Sequence, residues 1–169
     1  MSTQHGRFGP VMFVLFWVTA GLLLTLYFSG MLEQRRNPNQ QVMSGLSATG
    51  RPEVVLQRNR QGHYLAIGAI NGEPVEFLVD TGATYLGIPA GVARRLGLNR
   101  GVESASKTAA GVVRTYLVTL DSVELGDIRR EGVRASVIPD MPGESVLLGM
   151  SFLRDLEIIQ RGDAMTLRQ

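Results

Sequence analysis

The chain contains no cysteine, and this absence excludes several chemistries. A disulfide framework, a cysteine nucleophile and a thiolate metal site are all ruled out, whereas reducing and oxidising compartments both stay open. Histidine is nearly absent as well, because only His5 and His63 occur. Two separated imidazoles without thiolates do not form a zinc cluster, so the sequence predicts neither a metal nor another cofactor.

Lysine is equally scarce, since Lys107 is the only one and arginine supplies the rest of the 17 basic residues. The arginines are scattered along the chain, with short pairs at 94–95 and 129–130. A nucleic-acid surface usually needs a concentrated basic stripe, so we expect ordinary surface charge and no nucleic-acid partner. A Gly-x-Ser-x-Gly elbow and a glycine-rich phosphate loop are also missing.

Charged residues and histidine are absent from Phe8 to Leu32, and this stretch is mostly apolar. A helix needs about 20 apolar residues to cross a bilayer. We therefore interpret residues 10–32 as a single transmembrane anchor that follows a short tail at 1–9. A cleaved signal peptide is the alternative, but its apolar core normally has only about 7–15 residues and precedes a small-residue cleavage site.

The charges that flank the apolar run give conflicting signals about orientation. Arg7 precedes the run, while Arg35 and Arg36 follow it, and the positive-inside rule then slightly favours a cytoplasmic carboxy-terminal domain. A short tail before a long domain is instead typical of a signal anchor that exports the domain. We expect a single-pass membrane protein whose soluble domain lies on the extracytoplasmic, periplasmic side.

The remainder of the chain divides by composition. Residues 33–51 are rich in Asn, Gln, Ser, Gly and Pro, which predicts a flexible linker. Residues 52–169 have the size of one small domain, in which short apolar runs alternate with turn residues. The pair Asn71-Gly72 between two such runs is the strongest hairpin signal. The pattern predicts a mostly β domain, a small barrel or sandwich, with a short helix at 90–96.

The most specific motif is Asp80-Thr81-Gly82-Ala83, which follows the apolar residues 77–79. A second motif of two apolar residues and a glycine, 147–149, lies about 70 residues downstream. Together the two motifs resemble those of retropepsin-like aspartic proteases, and more closely those of the membrane-anchored bacterial members. The resemblance covers most of 52–169 and implies an acid-protease β-barrel with one half-site per chain.

The resemblance also implies a role for each motif residue. Asp80 would be the catalytic carboxylate, one from each subunit of a homodimer. Thr81 would bond to the partner loop across the two-fold axis, and Gly82 would offer its amide and the space for the turn. Ala83 would complete the loop, and Gly149 would let the second motif approach it from below. Two facing carboxyl groups about 3 Å apart share one proton and activate a water that attacks the peptide bond.

Retropepsins also carry a flap, a glycine-bearing hairpin that closes over the peptide. Ala109, Ala110 and Gly111 occupy the corresponding place here, with fewer glycines than in the viral enzymes. The expected partners are a peptide or protein substrate, a second copy of the chain and the lipid bilayer. The alternative is a non-catalytic module of the same fold that dimerises or binds peptides. In that case Asp80 is only a turn residue.

Overall fold

The computed structural model describes residues 8–99, 101–108 and 111–169. The chain divides into two compact units, Met1–Arg36 and Asn37–Gln169. In the first unit, helix α1 spans Phe8–Arg36. Its segment Gly9–Arg36 contains an 18-residue stretch that has a mean hydropathy of 2.2 and is not buried, so the helix is long and apolar enough to cross a bilayer.

The second unit is mostly β, as predicted. Its strands are β1 Met43–Leu46, β2 Pro52–Gln57, β3 Leu65–Ile70, β4 Glu73–Val79, β5 Leu86–Pro89, β6 Val102–Thr108, β7 Gly111–Leu125, β8 Ile128–Ile138, β9 Val146–Leu148, β10 Glu157–Arg161 and β11 Ala164–Arg168. Two short helices, α2 Ala90–Arg95 and α3 Met150–Leu153, follow β5 and β9. The predicted helix at 90–96 therefore exists and ends one residue early.

The larger sheet has seven strands in the order β3-β4-β9-β5-β8-β7-β6. Because β3 also pairs with β7, the first six strands in this order close into a barrel. The last strand, β6, extends from β7 at the barrel's edge. The β3–β4 hairpin turns at Asn71 and Gly72, with φ of 51° and 83°. Positive φ at both turn residues matches the right-handed twist of the strands, which confirms the predicted hairpin.

The smaller sheet has four antiparallel strands in the order β1-β2-β11-β10. Both sheets contribute to one hydrophobic core, in which Phe77, Phe152 and Leu167 are fully buried. Buried and exposed side chains alternate over residues 119–122 of β7 and 132–135 of β8, as strands with one covered face require.

The predicted flexible linker at 33–51 differs from the structure. Residues 33–36 continue helix α1, and strand β1 pairs with β2 along its whole length. Between them, the Asn39 side chain is 4% exposed and bonds three backbone groups: Gln57 N–H donates to its Oδ1 (2.7 Å), and its Nδ2 donates to the carbonyls of Gln57 (2.9 Å) and Leu65 (2.6 Å). Composition suggested a linker because these long-range hydrogen bonds leave no local signal.

Candidate active site

Asp80 begins the loop that follows β4, and its backbone is anchored on the neighbouring strand. Its N–H donates to the carbonyl oxygen of Leu148 at 3.2 Å. The Gly82 N–H in turn donates to Asp80 Oδ1 at 2.9 Å, so the loop fixes one carboxylate oxygen from within. The Asp80 side chain is partly exposed.

The two sequence motifs meet in space, because β4 and β9 are parallel neighbours in which Val79 pairs with Leu148. Beyond these strands, the Met150 N–H donates to the Ala83 carbonyl at 2.7 Å, and the Ser151 N–H donates to that of Thr84 at 2.9 Å. The second motif therefore supports the Asp80 loop along its length.

Gly149 lies at the closest point between these two segments. A Cβ on this residue would stand 2.7 Å from the Ala83 carbonyl oxygen and closer still to that of Tyr85, so a side chain does not fit. The Ser151 hydroxyl extends the connection, since it donates to the Arg134 carbonyl on β8 (2.7 Å) and accepts from the Leu86 N–H on β5 (3.1 Å).

A cleft of about 640 Å³ opens beside the Asp80 loop. It is lined by Asp80 and residues 82–85 of the loop, and by Ala105 and Ser106 on β6. Its floor includes Gly87, Ser136 and Leu147. Its volume lies within the range typical of small-molecule and cofactor pockets, about 300–1,000 Å³. Among the described residues that line it, Asp80 is the only carboxylate.

The β6–β7 hairpin lies where the resemblance implies a flap. Strand β6 pairs antiparallel with β7 from Val102↔Leu117 to Thr108↔Gly111. Gly111, at the start of β7, has a φ of 116°. Ala109 and Ala110, the other two residues assigned to the flap tip, lie outside the described residues.

The structure thus brings together Asp80, Gly82, Ala83 and Gly149, four of the residues that the motifs predicted. Thr81 lies in the same loop and is exposed on the single chain. Sequence reasoning missed the floor of the cleft, above all Ser136. The sequence carries only a weak signal for Ser136, a polar residue between Ala135 and Val137 in a strand. Strand alternation indicates which face of the sheet Ser136 occupies, but it does not show that this face borders a cleft.

The cleft of one chain contains one carboxylate, which limits the reactions that it can catalyse. Asp80 can accept or donate one proton, but it cannot hold a water between two carboxyl groups. No group of three or more His, Cys, Asp or Glu that could bind a metal occurs in the described part of the chain.

A family model and a curated relative match this chain. The family model described as gag-polyprotein putative aspartyl protease matches residues 66–155. A curated relative, an uncharacterized protein in the cobV 5' region of Sinorhizobium sp, is 35% identical over 123 residues. That match covers 70% of this chain, and the chain spans about half the length of the relative (53%).

Two solved structures are similar to this chain to different degrees. A retropepsin-like aspartic protease from Rickettsia conorii is 26% identical, with a TM-score of 0.62 over 76% of this chain and 95% of that chain. The EIAV protease complexed with the inhibitor HBY-793 is 24% identical, with a TM-score of 0.48 over 59% of this chain and 93% of that chain. The match to the Rickettsia conorii protease confirms the expected retropepsin-like β fold.

Proposed function

The chain belongs to the retropepsin-like aspartic protease family, and from this membership we propose that it is a membrane-anchored endopeptidase whose active site forms between two copies. In this proposal each subunit contributes Asp80. The two carboxyl groups share one proton, activate a water between them and hydrolyse a peptide bond in the cleft. Helix α1 holds the enzyme in a bilayer, with residues 37–169 on the extracytoplasmic side.

One observation carries this proposal. Asp80 is held by the Gly82 N–H within a loop that the second motif supports, yet it is the only carboxylate among the described residues that line the cleft. A carboxylate dyad needs a second carboxyl group. A closed two-fold dimer supplies it with the same residue, because the same surface of both subunits then meets at the axis.

The reaction follows from the shared proton. The water attacks the peptide carbonyl and gives a proton to the ionised carboxylate. The protonated carboxyl group donates a hydrogen bond to the developing oxyanion. The leaving nitrogen is then protonated, and the dyad returns to its starting state. The two pKa values of this cycle belong to the pair and not to either residue.

Mixing subunits tests the proposal. The full chain and its Asp80→Asn variant, both in detergent, are unfolded and refolded together at equal concentration, and cleavage of a fluorogenic peptide library is measured. If both carboxylates are needed, activity falls to about one quarter of that of the native protein at the same total concentration, because only dimers of two native chains are active.

A fall to about one half would mean that each chain works alone and would refute the dimeric site. Full activity of pure Asp80→Asn would refute the catalytic assignment. Peptide binding without turnover by the native chain would favour the non-catalytic module.

A further inference from the structure

We propose that the substrate carries an acidic side chain, Asp or Glu, which binds a positively charged pocket beside the Asp80 cleft. The residues that line this pocket include Arg134 and Arg154, and we call it the basic pocket. The inference rests on the proposed function, because it assigns a specificity to the peptide that the cleft would hold.

The basic pocket has a volume of about 530 Å³. Thr84 and Tyr85 line both this pocket and the cleft, so the two spaces adjoin at the end of the Asp80 loop. The basic pocket is otherwise lined by residues of β8, of α3 and of the turn after it: Gly132, Arg134, Met150, Ser151 and Arg154. A peptide that extends from the cleft past Thr84 and Tyr85 therefore reaches the two arginines.

Arg134 lies on the same face of β8 as the cleft residues of that strand. Ser136 and Ile138 both line the cleft, and they follow Arg134 by two and four positions. Side chains alternate along a strand, so residues two positions apart share a face. At about 3.3 Å per residue, the Cα atoms of Arg134 and Ser136 lie about 7 Å apart. The face of β8 that borders the cleft thus continues into the basic pocket.

The basic pocket has an excess of positive charge. Arg134 is exposed, and its guanidinium has no ion-pair or hydrogen-bond partner in the part of the chain that the structure describes. Its backbone is fixed, because its carbonyl oxygen accepts a hydrogen bond from the Ser151 hydroxyl at 2.7 Å. Arg154 lies 3.6 Å from an oxygen of Asp155, which also accepts a hydrogen bond from Arg130 at 3.2 Å. Two arginines therefore share one carboxylate, and no Asp or Glu is among the described residues that line the pocket.

This charge determines which substrate group the basic pocket takes. Arginine pairs with a carboxylate through two parallel hydrogen bonds, and such charge-assisted bonds are stronger than bonds between neutral groups. A Lys or Arg side chain would be repelled there. In the cleft, by contrast, Asp80 is the only carboxylate among the described lining residues and would repel an acidic group. The acidic residue is therefore expected away from the cleaved bond and not next to it.

The proposed dimer doubles this feature. In a closed two-fold dimer each subunit supplies one basic pocket, and the two pockets are related by the same axis as the two Asp80 residues. A peptide that crosses the axis runs toward one pocket on each side of the cleaved bond. We therefore expect one or two positions of the substrate to select for an acidic side chain.

The test uses the full chain in detergent and peptides that differ only by Glu, Gln or Lys at one position, with each position on both sides of the cleaved bond varied in turn. Gln has the shape of Glu without its charge. At one or two positions, kcat/KM for the Glu peptide should exceed that for the Gln peptide by about five- to tenfold, with the Lys peptide lowest. This preference should shrink at about 1 M salt, where the Debye length is only about 3 Å.

Variants of Arg134 assign the preference to this residue. In Arg134→Gln the ratio of the Glu to the Gln peptide should fall to within about twofold, whereas Arg134→Lys keeps the charge and should keep a ratio above about twofold. Arg95→Gln is the matched control and should keep the native ratio, because Arg95 is an exposed arginine on α2 that lines neither the cleft nor the basic pocket. Thermal unfolding of each variant is measured, and an unchanged midpoint assigns a lost preference to the missing charge.

Peptide binding to Asp80→Asn, with and without Arg134→Gln, separates this inference from the proposed function. Tighter binding of the Glu peptide that disappears with Arg134→Gln supports the basic pocket even if the native chain cleaves nothing, and only the proposed function then fails. Cleavage by the native chain with no position at which Arg134→Gln lowers the Glu-to-Gln ratio overturns the inference alone. If neither binding nor cleavage depends on Glu at any position, the inference is overturned as well.

Discussion

A Cβ placed on Gly149 would stand 2.7 Å from the carbonyl oxygen of Ala83, so the two motifs of the chain touch backbone to backbone. This contact lets the Met150 N–H reach the same carbonyl oxygen at 2.7 Å. The loop that carries Asp80 is therefore supported by a segment about 70 residues away in sequence. The geometry of the site depends on a residue without a side chain.

Gly149→Ala should lower both stability and activity. The added methyl group forces the second motif away from the Asp80 loop, and overpacking of this kind costs about 1–3 kcal/mol. Urea denaturation measures the free energy of unfolding. Gly91→Ala is the matched control, because Gly91 lies in helix α2 with open space around it, and alanine there should be neutral or stabilising by up to about 1 kcal/mol. Equal stability of Gly149→Ala and the native chain would contradict the close contact.

Asn39→Ala should destabilise the folded unit Asn37–Gln169. The substitution removes the bonds from Gln57 N–H and to the carbonyls of Gln57 and Leu65, and it leaves buried backbone groups without partners. Each such group costs about 1–3 kcal/mol, so the free energy of unfolding should fall by at least about 2 kcal/mol. The exposed neighbour Gln40 provides the control, since Gln40→Ala should change stability by less than about 0.5 kcal/mol.

The starting point of the folded unit can be tested by truncation. A fragment of residues 37–169 should unfold cooperatively at a higher temperature than a fragment of residues 52–169, because the shorter one lacks strand β1 and the bonds of Asn39. Thermal unfolding followed by circular dichroism gives both midpoints. If the two midpoints agree, residues 37–51 behave as the linker that composition predicted.

Single-cysteine labelling tests the proposed membrane side. Since the chain has no cysteine, Gln61→Cys and Ser2→Cys each introduce one thiol. Gln61 is exposed. If the domain lies on the extracytoplasmic side, as we propose, a membrane-impermeant maleimide labels Gln61→Cys in intact spheroplasts. Ser2→Cys should be labelled only after the membrane is opened. The reverse pattern would place the domain in the cytoplasm, as the positive-inside rule alone favours.

Labelled Ser2→Cys also distinguishes an anchor from a cleaved signal peptide. With an anchor, the labelled residue stays on a chain of full length, which remains in the membrane pellet after a salt wash and enters solution with detergent. Loss of the labelled end from the folded unit would instead indicate cleavage.

The sequence by itself determined the features that lie within a few neighbouring residues. The apolar run that became helix α1, the Asn71-Gly72 turn and the Asp80 motif are local, because each depends on hydrophobicity or on φ preferences at adjacent positions. Only the tertiary structure decided the pairing of β4 with β9, the hydrogen bonds of Asn39 and the close packing of Leu147 against Gly87. These features join residues far apart in the chain, and a contact between distant strands leaves no period or composition in either strand from which it can be read.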